Sequence, residues 1–230
     1  MINIKKIINK ILYPNTCNNE AYVKYLRNNG ATIGENTTFI RPKNTIVDTQ
    51  RLNYIKIGNE CCITSGVVIL AHDWSYSVIA KKYGEAPGKQ KDTIIGNNVF
   101  VGMNSIILMG TEIGNNVIIG AGSVVSGYVE SDSVYAGNPA RKICSLDEHY
   151  KKLKLEFEQS ACNVANKFIS IHGKMPQIEN MELYASLFVE KTDGNMEKYF
   201  SKSHIKEAIK NMPKKYDSIE ELLNRNMKNN

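Results

Sequence analysis

A branched aliphatic residue falls at every sixth position from 95 to 125: Ile95, Val101, Ile107, Ile113, Ile119 and Val125. For a chain of this Ile and Val content, six consecutive matches have a chance probability on the order of 10^-5. Neither a helix nor an ordinary strand repeats in this way, because their side chains recur with periods of 3.6 and 2. A prism with short flat sides does, each side supplying one inward aliphatic and one corner. Four places after each member of the series stand Val99, Ser105, Thr111, Val117, Ser123 and Val129, all small or β-branched. Gly96, Gly102, Gly114 and Gly120 follow four of the six, and the Gly-Asn-Asn triplets at 96–98 and 114–116 suit corners with unusual backbone angles. Coils of this kind stack, so their backbone hydrogen bonds run from coil to coil around a continuous aliphatic core. The period predicts a solenoid and leaves its hand open.

The same register occurs earlier in Ile57, Ile63 and Ile69, and more loosely in Ile33 and Phe39. Between Ile69 and Ile95 it breaks, because 26 residues intervene and 26 is not a multiple of six. The segment 73–92 is polar, aromatic and glycine-containing, as expected of a loop ejected from the prism, and such loops are where function concentrates. A harmless insertion is the plainer reading.

Upstream, residues 18–28 read as a short helix closed by Gly30. Ile4, Ile7, Ile8, Ile11 and Leu12 alternate with lysines in an amphipathic pattern. That pattern suits peripheral association with a membrane surface or, as is more common, packing on the protein itself. Downstream, Ser145 and Glu148 form a capping box that opens an apolar series at helical spacing: Leu146, Tyr150, Leu153, Phe157, Ala161, Val164 and Phe168. Further helical stretches are expected near 178–190, 195–211 and 218–227. The organisation read from the sequence is an N-terminal helical segment (1–30), a mainly β prism (31–145) with its loop at 73–92, and a helical extension (146–230).

The formal charge of +6 is spread over dispersed lysines and not gathered in a stripe, which argues against nucleic acid as a partner. No apolar run approaches the roughly 18 residues that cross a bilayer, and no small-residue cleavage site follows the start, so the chain reads as cytoplasmic. Five cysteines with no C-x-x-C spacing suggest neither a disulfide framework nor a zinc site.

The stretch TIIGNNVFVGMNSIILMGTEIGNNVIIGAGSVVSG (93–127), followed by AGNPARKI (136–143), resembles the bacterial hexapeptide acyltransferases. That family includes galactoside and maltose acetyltransferases, xenobiotic acetyltransferases, and capsule or O-antigen O-acetyltransferases. The resemblance covers residues 30–145 and implies a left-handed parallel β-helix, a homotrimer with active sites between subunits, and acetyl-CoA as donor, with no metal. It makes His72, in the motif ILAHDW at the mouth of the loop, the catalytic base. Histidine suits the task, because a sugar hydroxyl attacks a thioester only as its proton is taken. By the same match the donor lies along Phe100, Gly102, Met103, Gly120, Ala121, Ser126 and Gly127, with Arg141 and Lys142 near its nucleotide end. Two departures stand out. Phe100 replaces the usual tryptophan, and Ser126-Gly127 replaces the usual threonine-lysine.

Asp73 is a candidate to orient the base or touch the acceptor, and Trp74 and Tyr76 are candidates to stack on a sugar or simply to cover the loop. The loop motif HDWSYSVI with KKYGE is closest to polysaccharide O-acetyltransferases, which makes a capsular or lipopolysaccharide sugar hydroxyl the expected acceptor. Xenobiotic acetylation, amino-sugar N-acetylation and a non-catalytic binding helix are the alternatives. A ping-pong route through Cys61 or Cys62 conflicts with their place in the prism register. A carbonic anhydrase on this prism would need three histidines where the prism has only His72.

Overall fold

The computed structural model describes residues 11–200, 206 and 208–227. Ile4, Ile7 and Ile8 of the amphipathic series, His204 and part of the 195–211 stretch lie outside the described residues, while Ile11 and Leu12 are exposed. The chain divides into two compact units, Met1–Tyr150 and Lys151–Asn230.

The first unit is the predicted prism. Its side A stacks β1 (Thr32–Ile33), β4 (Ile55–Ile57), β7 (Thr93–Ile95), β10 (Glu112–Ile113) and β13 (Tyr128–Val129). Side B stacks β2 (Thr38–Phe39), β5 (Cys62–Ile63), β8 (Val99–Val101), β11 (Val117–Ile119) and β14 (Ser133–Gly137). Side C stacks β3 (Ile46–Val47), β6 (Val68–Ile69), β9 (Ile106–Ile107) and β12 (Val124–Val125). All these pairings are parallel, and side B is finished by the antiparallel β15 (Ala140–Ser145) folding back on β14.

The six-residue series visits the three sides in turn, and all of its members are buried to 2% exposure or less. The register stacks like on like: Ile95 opposes Ile113, Val101 opposes Ile119 and Ile107 opposes Val125. Removing each such side chain from water contributes about 1.5–3 kcal/mol. The companion series is buried too, and its hydroxyls find carbonyls within the prism, as Ser105 and Ser123 do by donating to Gly120 O at 2.9 and 2.6 Å.

At the corner between sides A and B the roles of glycine and asparagine separate. Asn98 and Asn116 carry the positive φ, at 53° and 56°, which short polar side chains tolerate best after glycine. Gly96 is required for a different reason. A Cβ there would sit 2.5 Å from the carbonyl oxygen of Gly114 on the next coil. The side chains of Asn97 and Asn115 extend the coil-to-coil ladder, accepting from the backbone N–H of Asn59 and Asn97 at 2.8 and 2.7 Å.

Helix α1 (Asn19–Asn28), capped by Asn18, packs Tyr22 and Leu26 against the first coil, where the Tyr22 ring meets Phe39 edge-on at 5.0 Å. The ejected segment is not all loop, since it contains helix α2 (Tyr76–Tyr83), ended by Gly84 in the left-handed conformation. Past the prism, Ser145 and Glu148 form the capping box reciprocally and open α3 (Leu146–His172).

In the second unit, Ala161, Cys162 and Ala165 of α3 pack with Met181, Leu187 and Phe188 around a separate core. The stretch at 178–187 is a 3-10 helix broken by a kink at Glu182, and α4 (Asp193–Phe200) and α5 (Ile219–Met227) follow. Tyr150 and Leu153 of the apolar series stay exposed. Among the described residues no helix is long and apolar enough to cross a membrane.

Candidate active site

The chain leaves the prism at the end of β6, through Leu70, Ala71 and His72. It re-enters beside the same point. His72 bridges Gln90 in antiparallel fashion, and the N–H of Lys91 donates to Ala71 O at 3.1 Å. Side chains pin this stem to the coil, with Arg51 donating to Gln90 Oε1 at 2.7 Å and Gln90 donating to the Tyr54 hydroxyl at 3.0 Å. Lys56 and Asp92 pair beside it at 2.6 Å. The distal part is not pinned in this way, and α2 has no buried residue.

His72 Nδ1 is hydrogen-bonded to Asp48 Oδ2, with the two side chains 16% and 2% exposed. Asp48 follows β3, which stacks on β6, so the ladder itself brings Asp48 beside the departing chain. Its carboxylate also accepts from the N–H of Ala71 at 2.9 Å and of Gln50 at 3.2 Å. The other ring nitrogen, Nε2, receives the indole N–H of Trp74. An indole nitrogen only donates, so Nε2 carries the lone pair and Nδ1 the hydrogen directed at Asp48. The ring is thereby held in the tautomer that a proton acceptor at Nε2 requires. Beside it opens a cleft of about 610 Å³ lined by Tyr13, Thr16, Tyr25, Asp48 and His72 among others.

Asp73 does not orient the base. Its two oxygens accept from the backbone and hydroxyl of Ser75, both at 2.7 Å, and these bonds hold its carboxyl below the usual range. Trp74 and Tyr76 stack on one another with centroids 5.8 Å apart. His149 and His172 belong to α3. Cys61 is buried with its thiol directed at Gly96 O, 3.1 Å away, and burial pushes both it and Cys62 up, away from the reactive thiolate.

The residues expected along the donor fall on two corners of the prism. Phe100 points outward from β8 on side B, Gly102, Met103, Gly120 and Ala121 follow β8 and β11 at the corner between sides B and C, and β14–β15 carries Arg141 to the same corner opposite Ala136. Phe100 and Met103 are 41% and 52% exposed there. Gly102 is buried instead, since a Cβ on it would meet Ala121 N at 2.5 Å, so it shapes this corner without lining it. Lys142 pairs with Glu130 at 3.0 Å, a contact that holds its ammonium above the usual range. Ser126 and Gly127 lie on the next corner, between sides C and A, where His72 also sits. Side C separates the two groups, a run of about five extended residues or roughly 15 Å. One chain therefore does not bring Phe100 and Met103 to His72.

Residues 92–127 match the family described as bacterial transferase hexapeptide, six repeats. Protein CapG of Staphylococcus aureus is 36% identical over 173 residues, spanning 72% of this chain and 96% of that protein. The chain belongs to the hexapeptide-repeat acyltransferase family. Its prism is accordingly a left-handed parallel β-helix. Among solved structures, soybean serine acetyltransferase complexed with serine is 28% identical with a TM-score of 0.39, over 50% of this chain and 40% of that one. Galactoside acetyltransferase in complex with coenzyme A is 26% identical with a TM-score of 0.41, over 57% of this chain and 73% of that one. This chain thus spans less than half of the soybean enzyme.

Within this hexapeptide acyltransferase the residue that sequence reading missed is Asp48. It stands 24 positions before His72, in a coil lengthened by short 3-10 turns at Pro42–Asn44 and Leu52–Tyr54, where the six-residue register is lost. The available signal was an acidic residue directly after an inward aliphatic, Val47, in the coil beneath the loop.

Proposed function

We propose that this chain transfers the acetyl group of acetyl-CoA to a hydroxyl of a sugar in a capsular or lipopolysaccharide repeat unit. The observation that carries the reading is the buried Asp48 behind His72, which leaves the Nε2 lone pair to take a proton. The hydroxyl oxygen bonds to the thioester carbonyl carbon as its proton moves to Nε2, the carbon–sulfur bond breaks, and His72 passes the proton to the departing sulfur. Asp48 stabilises the imidazolium that exists between these events, a contribution of about 10^2- to 10^4-fold for a positioned base of this kind.

Several features suit the donor. The exposed apolar pair Phe100 and Met103, the exposed turn at Ala121 and the cation of Arg141 run along side B and its corner with side C, as a pantetheine arm ending in phosphates would require. Side C supports assembly into a trimer, because its outward row is aliphatic throughout, Ile46, Val68, Ile106 and Val124, whereas the outward row of side A mixes Thr32, Lys56 and Glu112 with Ile94 and Tyr128. Copies meeting along side C would set the His72 corner of one against the Arg141 corner of the next. The cleft beside His72 is a candidate acceptor site.

The test is acetyl-CoA consumption across free, nucleotide-linked and polymeric sugars, with mass spectrometry of the product. An acetyl ester on a sugar is expected. Acetylation confined to an amine, or to an antibiotic in the same panel, would replace this acceptor with the alternative one.

A further inference from the structure

We infer that Trp74 is a positioning residue that closes the proton-accepting nitrogen of His72 until an acceptor displaces it, so that water is not acetylated in the acceptor's place. The inference rests on the reading of His72 as the base.

Both ring nitrogens of His72 are engaged, Nδ1 by Asp48 and Nε2 by the Trp74 indole N–H. The lone pair on Nε2 accepts one strong hydrogen bond at a time, so a hydroxyl cannot present its proton there while the indole holds the place. The rings stand 6.0 Å apart and 65° to one another, an edge approach that brings the indole N–H to Nε2. Once a proton has reached Nε2 the indole has nothing to donate to, and it is excluded for that part of the cycle.

Nothing in the prism core holds the indole. Trp74 is 57% exposed, its neighbour in the stack is Tyr76, and Tyr76 in turn lies against Gly88 of the same loop, where a Cβ would come within 3.1 Å of the ring. The indole can therefore leave Nε2 by rotation of a surface side chain. A sugar has the means to drive that exchange. It offers one hydroxyl to Nε2 and an apolar face to the aromatic pair, whereas a water molecule offers only the hydrogen bond. The uncoupled reaction that Trp74 suppresses is hydrolysis. In it, water oxygen bonds to the thioester carbon, the carbon–sulfur bond breaks, and the water proton passes through Nε2 to sulfur, leaving acetate and free CoA thiol.

Trp74→Phe keeps an aromatic ring against Tyr76 and removes only the donor. With acetyl-CoA and no acceptor, thiol release by this variant should exceed the wild-type rate by about fivefold or more, the equivalent of one net hydrogen bond. With acceptor present, acetylated product per thiol released should fall below the wild-type ratio. Trp74 is the only tryptophan of the chain, so its emission reads the contact directly in unaltered protein. Wild type and His72→Ala should differ in emission, and saturating acceptor should move wild type towards the variant. Thiol release by Trp74→Phe equal to wild type, or identical emission from wild type and His72→Ala, overturns the inference. If His72→Ala keeps full transfer, the base assignment falls and the inference with it. If His72→Ala loses transfer while Trp74→Phe shows no added hydrolysis, the inference alone falls.

Discussion

Asp48 has two tasks that share one oxygen, Oδ2. It holds the turn by accepting from Ala71 and Gln50, and it fixes the tautomer of His72 by accepting from Nδ1. In Asp48→Asn the amide N–H can meet Nδ1 only by taking the place of Oδ2, which favours a hydrogen on Nε2, removes the proton acceptor and gives up the bond from the Ala71 N–H while the amide oxygen keeps the one from Gln50. The expected outcome is a fall in kcat of at least about 100-fold with a modestly lowered unfolding midpoint, read by steady-state kinetics beside thermal melting. His72 was legible in the sequence because it stands where the six-residue period stops. Asp48 was not, since it lies in the least regular coil, and the acidic neighbour that looked the better partner, Asp73, spends both oxygens on Ser75. Sequence adjacency said little here, whereas coil stacking brought residues 24 apart into contact.

At the scale of elements, the period predicts a prism because each side is short enough for a single inward aliphatic to define it, while the number of sides, three, emerges only in the stacked ladders. The helix α2 escaped that reading, since an exposed helix of eight residues has no buried face to impose a pattern on the sequence. The stem and the tip of the ejected segment have different roles. Gln90, Arg51, Tyr54, Lys56 and Asp92 tie the stem to the coil, while the tip carries Trp74, Tyr76 and α2 outside the core. Replacing residues 74–88 with a short Gly-Ser link should leave the melting temperature within about 3 °C, because shortening a surface loop changes closure entropy little. Acetyl transfer should be lost in the same variant. A large drop in melting temperature would mean that the tip supports the prism.

At the scale of the whole molecule, the proposed donor residues lie over two corners, so the proposed reaction would require self-association. The aliphatic row on side C is the surface that association would cover. Ile106→Asp adds a charge in the middle of that row and leaves the inward Ile107 in place, so the variant should sediment as a smaller species and lose transfer together. Full activity in a monomeric Ile106→Asp would show that one chain holds the complete site. The most direct measurement concerns the base itself: acetyl transfer by His72→Ala compared with wild type, alongside CoA binding and sedimentation of the same samples. Transfer reduced at least about 100-fold, with CoA affinity and assembly unchanged, is the predicted result. Turnover at the wild-type rate in that variant would contradict the assignment of His72 as the base.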